Sequence, residues 1–175
     1  MSILKEDDFG FSYPENVSRT SVLKDFLENP ISHSYIVPES KFENLIVPFE
    51  SQTERHFIAN NKTGYIIAKP YDSFVYGYPN SKTRRGRVGY GVAQTIQTEV
   101  LMGVVLEDLT IKKLTPLECW RLMGVKDEDY FKAVDAGLKK TALYELAGNA
   151  IVVQVLERIF HEVMKNESSR KQVVK

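Results

Sequence analysis

One thiol and three imidazoles are the nucleophile and general-base candidates in this chain: Cys119, His33, His56 and His161. A lone cysteine invites comparison with a catalytic nucleophile. A reactive thiolate, however, is placed at a helix N-terminus or beside a cation, and it is partly exposed. Cys119 lies within K-L-T-P-L-E-C-W-R-L-M-G (113–124), in the middle of a short predicted helix and next to the single tryptophan, Trp120. That setting predicts a small buried core residue. The histidines are scattered, with no H-E-x-x-H or comparable ligand spacing. Glu118 and Arg121, three residues apart, predict a structural ion pair rather than a catalytic acid–base pair.

Two other groups have chemical potential. K-T-R-R-G-R (82–87) puts Lys82, Arg84, Arg85 and Arg87 in six residues without an acid. Such a run is either a solvated basic turn or a loop that contacts DNA. Its setting favours contact: Tyr76, Tyr78, Tyr90 and several glycines frame it, and the polar, β-branched A-Q-T-I-Q-T follows. Arginines on a glycine-rich loop can approach a groove closely enough to meet guanine edges or phosphates. Gly148-Asn149 is either a helix start or a place where backbone comes close to a ligand.

The elements that must hold these groups fall into two parts. Residues 1–16 read as a polar, turn-rich entry with a possible strand fragment at Ser2 to Leu4. R-T-S-V-L-K-D-F-L-E-N-P and P-E-S-K-F-E-N-L-I-V-P then predict two short helices, stopped by Pro30 and Pro48. From about residue 54 to 114 the runs are β-rich and punctuated by glycine. R-H-F-I-A-N and G-Y-I-I-A-K-P-Y, separated by Asn60 to Gly64, predict a hairpin. S-F-V-Y-G-Y-P, R-V-G-Y-G-V-A-Q-T-I-Q-T-E and M-G-V-V-L-E-D-L-T-I-K-K-L continue the strand character.

After residue 114 the pattern is helical. Thr115-Pro116-Leu117-Glu118 is a capping box with proline at the first helical position, and Gly124 suits the left-handed stop. Asp127 is expected to cap the next helix and Gly137 to close it. Thr141 is expected to start a third. Asn149 is expected to cap A-I-V-V-Q-V-L-E-R-I-F-H-E-V-M-K-N, whose first two turns are apolar on nearly every side and so predict packing into something larger. The tail from Glu167 is charged.

Bulk properties exclude little. The formal net charge is +0, so a polyanionic partner must be met by a local patch. One cysteine rules out an internal disulfide framework, which makes the cytoplasm the default compartment. No apolar run approaches the roughly 20 residues that span a bilayer, so no membrane partner is expected.

Together these stretches resemble cytosine-5 DNA methyltransferases of bacteria and phages. K-K-L-T-P-L-E-C-W-R-L-M-G-V-K-D-E-D resembles that family's ninth motif, and L-Y-E-L-A-G-N-A-I-V-V-Q-V-L-E-R-I-F its tenth, in the family's order and spacing. R-G-R-V-G-Y-G-V-A-Q-T-I-Q-T-E is similar to the end of the target-recognition domain. S-V-L-K-D-F-L-E-N-P-I-S-H-S-Y-I-V-P-E-S resembles the segment leading into it. The resemblance implies a mixed α/β fold: a small β-rich target-recognition domain, then C-terminal helices that complete an S-adenosylmethionine-dependent methyltransferase domain. The implied divisions are an entry segment at 1–18, the recognition domain at 19–111, the helical part at 112–166 and a tail at 167–175.

It also implies roles. Lys82, Arg84, Arg85 and Arg87 would contact bases or phosphates of double-stranded DNA, and Thr95 would lie near the backbone beside the target cytosine. Thr115, Glu118, Arg121 and Gly124 would fasten the recognition domain to the catalytic domain. Gly148, Asn149 and Ala150 would wall the S-adenosylmethionine pocket. Two departures stand out: Lys112 replaces the family's arginine and loses its planar fork, and Ala150 replaces a common serine and has no hydroxyl.

The family's nucleophile is the cysteine of a Pro-Cys dipeptide, whose thiolate adds to C6 of a flipped-out cytosine before C5 is methylated. These 175 residues contain no such dipeptide. The glycine-rich cofactor loop is missing as well. The chain is therefore expected to be inactive alone and to work with a second chain carrying the catalytic cysteine and cofactor core. The other reading is a non-catalytic DNA-binding module or a truncated remnant.

Overall fold

The computed structural model describes residues 13–81 and 85–173, with side chains to residue 165 in the last helix. The expected strand fragment at Ser2 to Leu4, and Lys82 and Arg84 of the basic run, lie outside the described residues. The chain is mixed α/β and divides into two units, 21–150 and a second made of 1–20 with 151–175.

In the first unit the chain enters through short 3₁₀ turns at Leu23–Phe26, His33–Tyr35, Glu39–Lys41 and Glu43–Leu45. Two α-helices were expected here. The apolar residues instead serve as isolated anchors: Leu23, Phe42 and Leu45 are buried, and extended residues separate the turns. With prolines at 30, 38 and 48, no uninterrupted stretch is long enough to propagate a helix past its costly nucleus.

Strands β1 (Arg55–Ile58) and β2 (Tyr65–Ala68) form the expected antiparallel hairpin. A second, four-stranded antiparallel sheet contains β3 (Ser73–Val75), β4 (Val88–Gly89), β5 (Met102–Val105) and β6 (Ile111–Lys113) in the order β4-β3-β5-β6. The core lies between these sheets and the entry turns. Phe57 stacks on Phe74 with centroids 3.6 Å apart, and Phe42 sets its edge against both rings. Val37, Leu45, Ala68, Val105 and Ile111 complete this cluster.

Only Val88–Gly89 of the expected strand R-V-G-Y-G-V-A-Q-T-I-Q-T-E pairs in a sheet. The rest, up to β5, is irregular backbone held by individual contacts.

Helices α1 (Pro116–Leu122), α2 (Asp127–Asp135) and α3 (Lys140–Asn149) follow. The capping box on α1 is complete: the Glu118 amide donates to Thr115 Oγ1 at 3.1 Å, and Glu118 Oε2 accepts from the Thr115 amide at 2.8 Å. Gly124, at φ +79°, ends α1 with the paired bonds from Gly124 N to Arg121 O and from Val125 N to Trp120 O. Gly137 ends α2 in the same way.

Three local expectations are corrected. Lys126, not Asp127, occupies the N-cap of α2, because the Asp127 carboxylate is already engaged by Arg121. Asn149 is the last residue of α3 rather than the cap of the final helix, since the chain turns extended at Ala150.

The third correction concerns Glu118 and Arg121, which do not pair with each other. Arg121 grips Asp127 with two hydrogen bonds of 2.8 and 2.5 Å, which holds the Asp127 carboxyl below its ordinary range. Glu118 is fully buried and faces back toward its cap, where it pairs with the equally buried Lys112. Its Oε1 also accepts from the Glu28 amide at 2.7 Å, and the Thr115 hydroxyl bonds the Glu28 carboxylate.

In the second unit, α4 (Val153–Val173) is the long terminal helix. Ile151, just before it, and Val155, Ile159, Phe160, Val163 and Met164 along it are exposed. Among the described residues no helix is long and apolar enough to cross a membrane.

Glu118→Gln leaves the Lys112 ammonium buried against a neutral amide and is expected to cost about 3–5 kcal/mol, read as a lower urea midpoint at unchanged slope. Adding Lys112→Met removes the stranded charge and recovers more than half of that loss. Equal midpoints for the single and double variants would show that the pair does not operate as a buried ion pair.

Candidate nucleic-acid interface

The irregular segment between β4 and β5 is held by contacts that its sequence alternation does not announce. At its start, Asp72 Oδ1 accepts from the Gly91 amide at 2.7 Å while Oδ2 caps the preceding turn at Lys69 N. The Gly91 carbonyl accepts from Leu23 N at 2.9 Å. Further along, Gln94 N donates to Met102 Sδ, and the Tyr78 hydroxyl donates to Gln97 Oε1 at 3.2 Å. Near its end, Tyr76 donates from its hydroxyl to Val100 O and from its amide to Leu101 O.

Gly148 of α3 closes the segment from behind. A Cβ there would lie 2.4 Å from the Thr98 amide nitrogen and 2.6 Å from the Gln97 carbonyl carbon. The glycine permits close backbone packing, as one of the two sequence readings had it, but the partner is the chain's own segment 97–98. Asn149 and Ala150 follow at the exposed end of α3.

This segment lines a cleft of about 350 Å³ with Val75, Tyr78, Arg87 and Met102 of β5. Arg87 and Thr95, singled out from sequence, are both exposed and share this cleft. Gln94 and Gln97 join them there, amides that can make paired hydrogen bonds to a base edge. Arg85 points elsewhere: its Nη2 donates to Asn60 Oδ1 of the β1–β2 turn at 3.3 Å. Gly86, at φ +67°, permits this, because any side chain there would collide with the Ile58 carbonyl oxygen.

Of the residues expected to fasten the two parts, Thr115 and Glu118 share one buried network, while Arg121 and Gly124 are half-buried outside it. Besides the Lys112–Glu118–Glu28–Thr115 network, Trp120 Nε1 donates to Leu143 O at 2.8 Å and the Tyr144 hydroxyl donates to Leu114 O at 2.7 Å. These two bonds fix α3, and hence Gly148, against α1 and the residue that follows β6.

Cys119 is fully buried. Burial, aided by the neighbouring Glu118 charge, pushes its thiol from an ordinary 9.0 to about 12. That is the environment of an inert thiol, as expected. Among the described residues no group of His, Cys, Asp and Glu could hold a metal ion.

Sequence reasoning missed Glu28 and Asp72 as positioning residues, and named Tyr78 only as part of the aromatic frame of the basic run. Asp72 alone carried a local signal, since an aspartate just before a strand is a turn former.

A family model for C-5 cytosine-specific DNA methylases matches residues 1–165, and the chain belongs to that family. Aligned over 202 positions, it is 29% identical to the orphan methyltransferase M.SPBetaI of Bacillus phage SPbeta, covering 89% of this chain and 45% of that protein. It is also 29% identical to the type II methyltransferase M2.ScrFI of Lactococcus lactis subsp. cremoris, over 94% of this chain and 45% of the relative. A stretch of 54 residues is 54% identical to the orphan methyltransferase M.Rho11sI of Bacillus phage rho11s, 31% of this chain and 11% of that protein. The chain thus spans less than half the length of these relatives.

Two outcomes follow from this geometry. Gly148→Ala drives a methyl group into the 97–98 backbone and is expected to lower unfolding stability by about 1–3 kcal/mol in urea titrations; an unchanged midpoint would mean the contact is not close. Cys119 is expected to resist a thiol reagent at pH 8 until denaturant is added. The unfolded thiol ionises near 9.0 while the folded one keeps its proton to about 12. Its stabilising effect is therefore complete below pH 9 and is lost as the pH rises through that window. Rapid native labelling, or stability that Cys119→Ala leaves equally pH-dependent there, contradicts the assignment.

Proposed function

We propose that this chain is the target-recognising part of a DNA (cytosine-5)-methyltransferase and that it completes, but does not contain, the catalytic centre. The observation that supports this most is the shared cleft of Arg87 and Thr95, whose floor segment is backed directly by Gly148 of α3. In this reading Arg87, with Lys82 and Arg84 of the same run, contacts double-stranded DNA, and Thr95 supports the backbone beside the target cytosine. Arg85 contributes less, being drawn toward Asn60. Residues 19–111 form the recognition domain and 112–166 belong to the methyltransferase domain.

S-adenosylmethionine supplies the methyl group when bound. The residues available to wall its pocket fit in part. Asn149 and Ala150 lie exposed immediately after the tightly packed Gly148, and Asn149 has an amide with both donors and an acceptor. Ala150 can contribute only a methyl surface. The thiolate that attacks C6 must come from outside these 175 residues, since Glu118 rather than proline precedes the single cysteine. A partner polypeptide that brings the Pro-Cys half also accounts for the apolar side chains exposed along α4. Action on DNA in a bacterial or phage setting makes the cytoplasm the place of work.

The test is reconstitution. The chain alone is expected to transfer no methyl group to DNA, and to do so once mixed with a polypeptide carrying the Pro-Cys, glycine-rich half of such an enzyme. Arg87→Gln should weaken duplex binding roughly tenfold, and Arg85→Gln clearly less. Methyl transfer by the single chain overturns the proposal. A reconstituted mixture that binds DNA but never methylates favours a non-catalytic binding module.

A further inference from the structure

A second cleft, of about 570 Å³, lies beside the first and is separated from it by Val100 and Leu101, which line both. It opens between the entry turns, the β3 end and the start of α3. Lys41, Lys113 and Lys140 reach it from three different elements, along with Tyr35, Tyr76 and Tyr144. No aspartate or glutamate lines it, although acids and bases balance over the whole chain. Of the acids nearby, Glu99 lines the neighbouring cleft, Glu39 pairs with Arg55 and Glu118 with Lys112.

Two of the lysines are held over aromatic rings, and none of the three forms an ion pair among the described residues. Lys140 Nζ sits 4.1 Å from the centroid of the Tyr35 ring, and Lys113 Nζ sits 5.0 Å from that of Tyr144. The lysines that form ion pairs among the described residues are Lys24, Lys112, Lys132 and Lys165, none of which belongs to this cleft. Lys140 is also the first residue of α3, a helix with no acid in its first turn and no side-chain cap at Lys139. The unsatisfied amides and partial positive charge of that terminus add to the lysine charges. Three uncompensated ammonium groups around a concave, partly apolar wall raise the local potential for an anion and can follow the oxygens of a tetrahedral one. The volume lies within the range of small-molecule sites.

We propose that this cleft is a phosphate-binding site, in which Lys41, Lys113 and Lys140 hold a phosphate group presented either by a free nucleotide or by a nucleic-acid backbone. It does not depend on the target-recognition reading, because a chain that fails to bind its target can still take up a small phosphate here.

Calorimetric titration of the full chain with pyrophosphate, paired with duplex binding measured across a salt series, tests this. Lys113→Gln with Lys140→Gln should reduce pyrophosphate affinity at least roughly tenfold, whereas Lys113→Arg with Lys140→Arg, which keeps both charges, should retain it. Lys41→Gln, on an exposed turn, gives a smaller loss and serves as a variant with little bearing on folding. If the phosphate belongs to DNA, the glutamine pair also lowers the log–log salt slope of duplex binding by nearly 2. If it belongs to a free nucleotide, pyrophosphate affinity falls and the slope does not change. Absent or unaltered pyrophosphate binding together with an unaltered salt slope overturns the proposal.

Discussion

The Glu118 carboxylate is the group around which the larger unit of this chain is organised. It is completely removed from water, a costly placement for a charge unless it is paired and hydrogen-bonded. Here Oε2 closes the cap of α1 on the Thr115 amide, and Oε1 takes both the Lys112 ammonium and the Glu28 amide. One side chain therefore joins the start of α1, the centre of β6 and an entry segment some 90 residues earlier. Removing any one partner exposes the rest to the desolvation penalty, so the three segments are held in one arrangement. Lys112 meets a single carboxylate oxygen here with one compact ammonium rather than a planar fork.

From that joint, rigidity passes outward in short steps. With α1 fixed, Trp120 and Tyr144 bind α3 through backbone carbonyls at Leu143 and Leu114. With α3 fixed, Gly148 forms a backbone surface against which Gln97 and Thr98 rest. The segment that bears Thr95 thus needs no neighbouring strand. Its alternation of small, polar and β-branched residues resembles a strand, yet its Gly91 and Gln94 amides and the Gln97 side chain are met by Asp72, Met102 and Tyr78. Irregular backbone supported in this way can present amides and side chains to a ligand in directions a sheet ladder forbids.

What the sequence made legible follows the range of the interactions. The capping box at Thr115, the glycine stops at Gly124 and Gly137 and the β1–β2 hairpin are decided within a few residues, and each formed where its local pattern put it. The family could be named because that local pattern is also the family's motif. The partner of Glu118 could not be read. Spacing offered Arg121 on the helix, but a carboxylate turned back to its own cap cannot also reach one turn forward. Arg121 found Asp127 instead, which took that aspartate from its expected capping role. Asn149 was misplaced for a related reason. A cap and a last helical residue share a composition, and only the packing of Gly148 on 97–98 decides that the helix continues through it.

The same joint explains why the single cysteine is where it is. Position 119 follows Glu118 directly, so its side chain enters the core that the ion pair seals, and thiolate formation there meets both desolvation and a neighbouring negative charge. A nucleophile needs the reverse, an approachable sulfur with cationic support. Making Cys119 reactive would require opening the contact that fixes α1, and with it the segment carrying Thr95. A rigidly held segment and a reactive thiol therefore make opposing demands on this part of the chain. Keeping the thiol inert here lets the buried Lys112–Glu118 pair serve alignment alone.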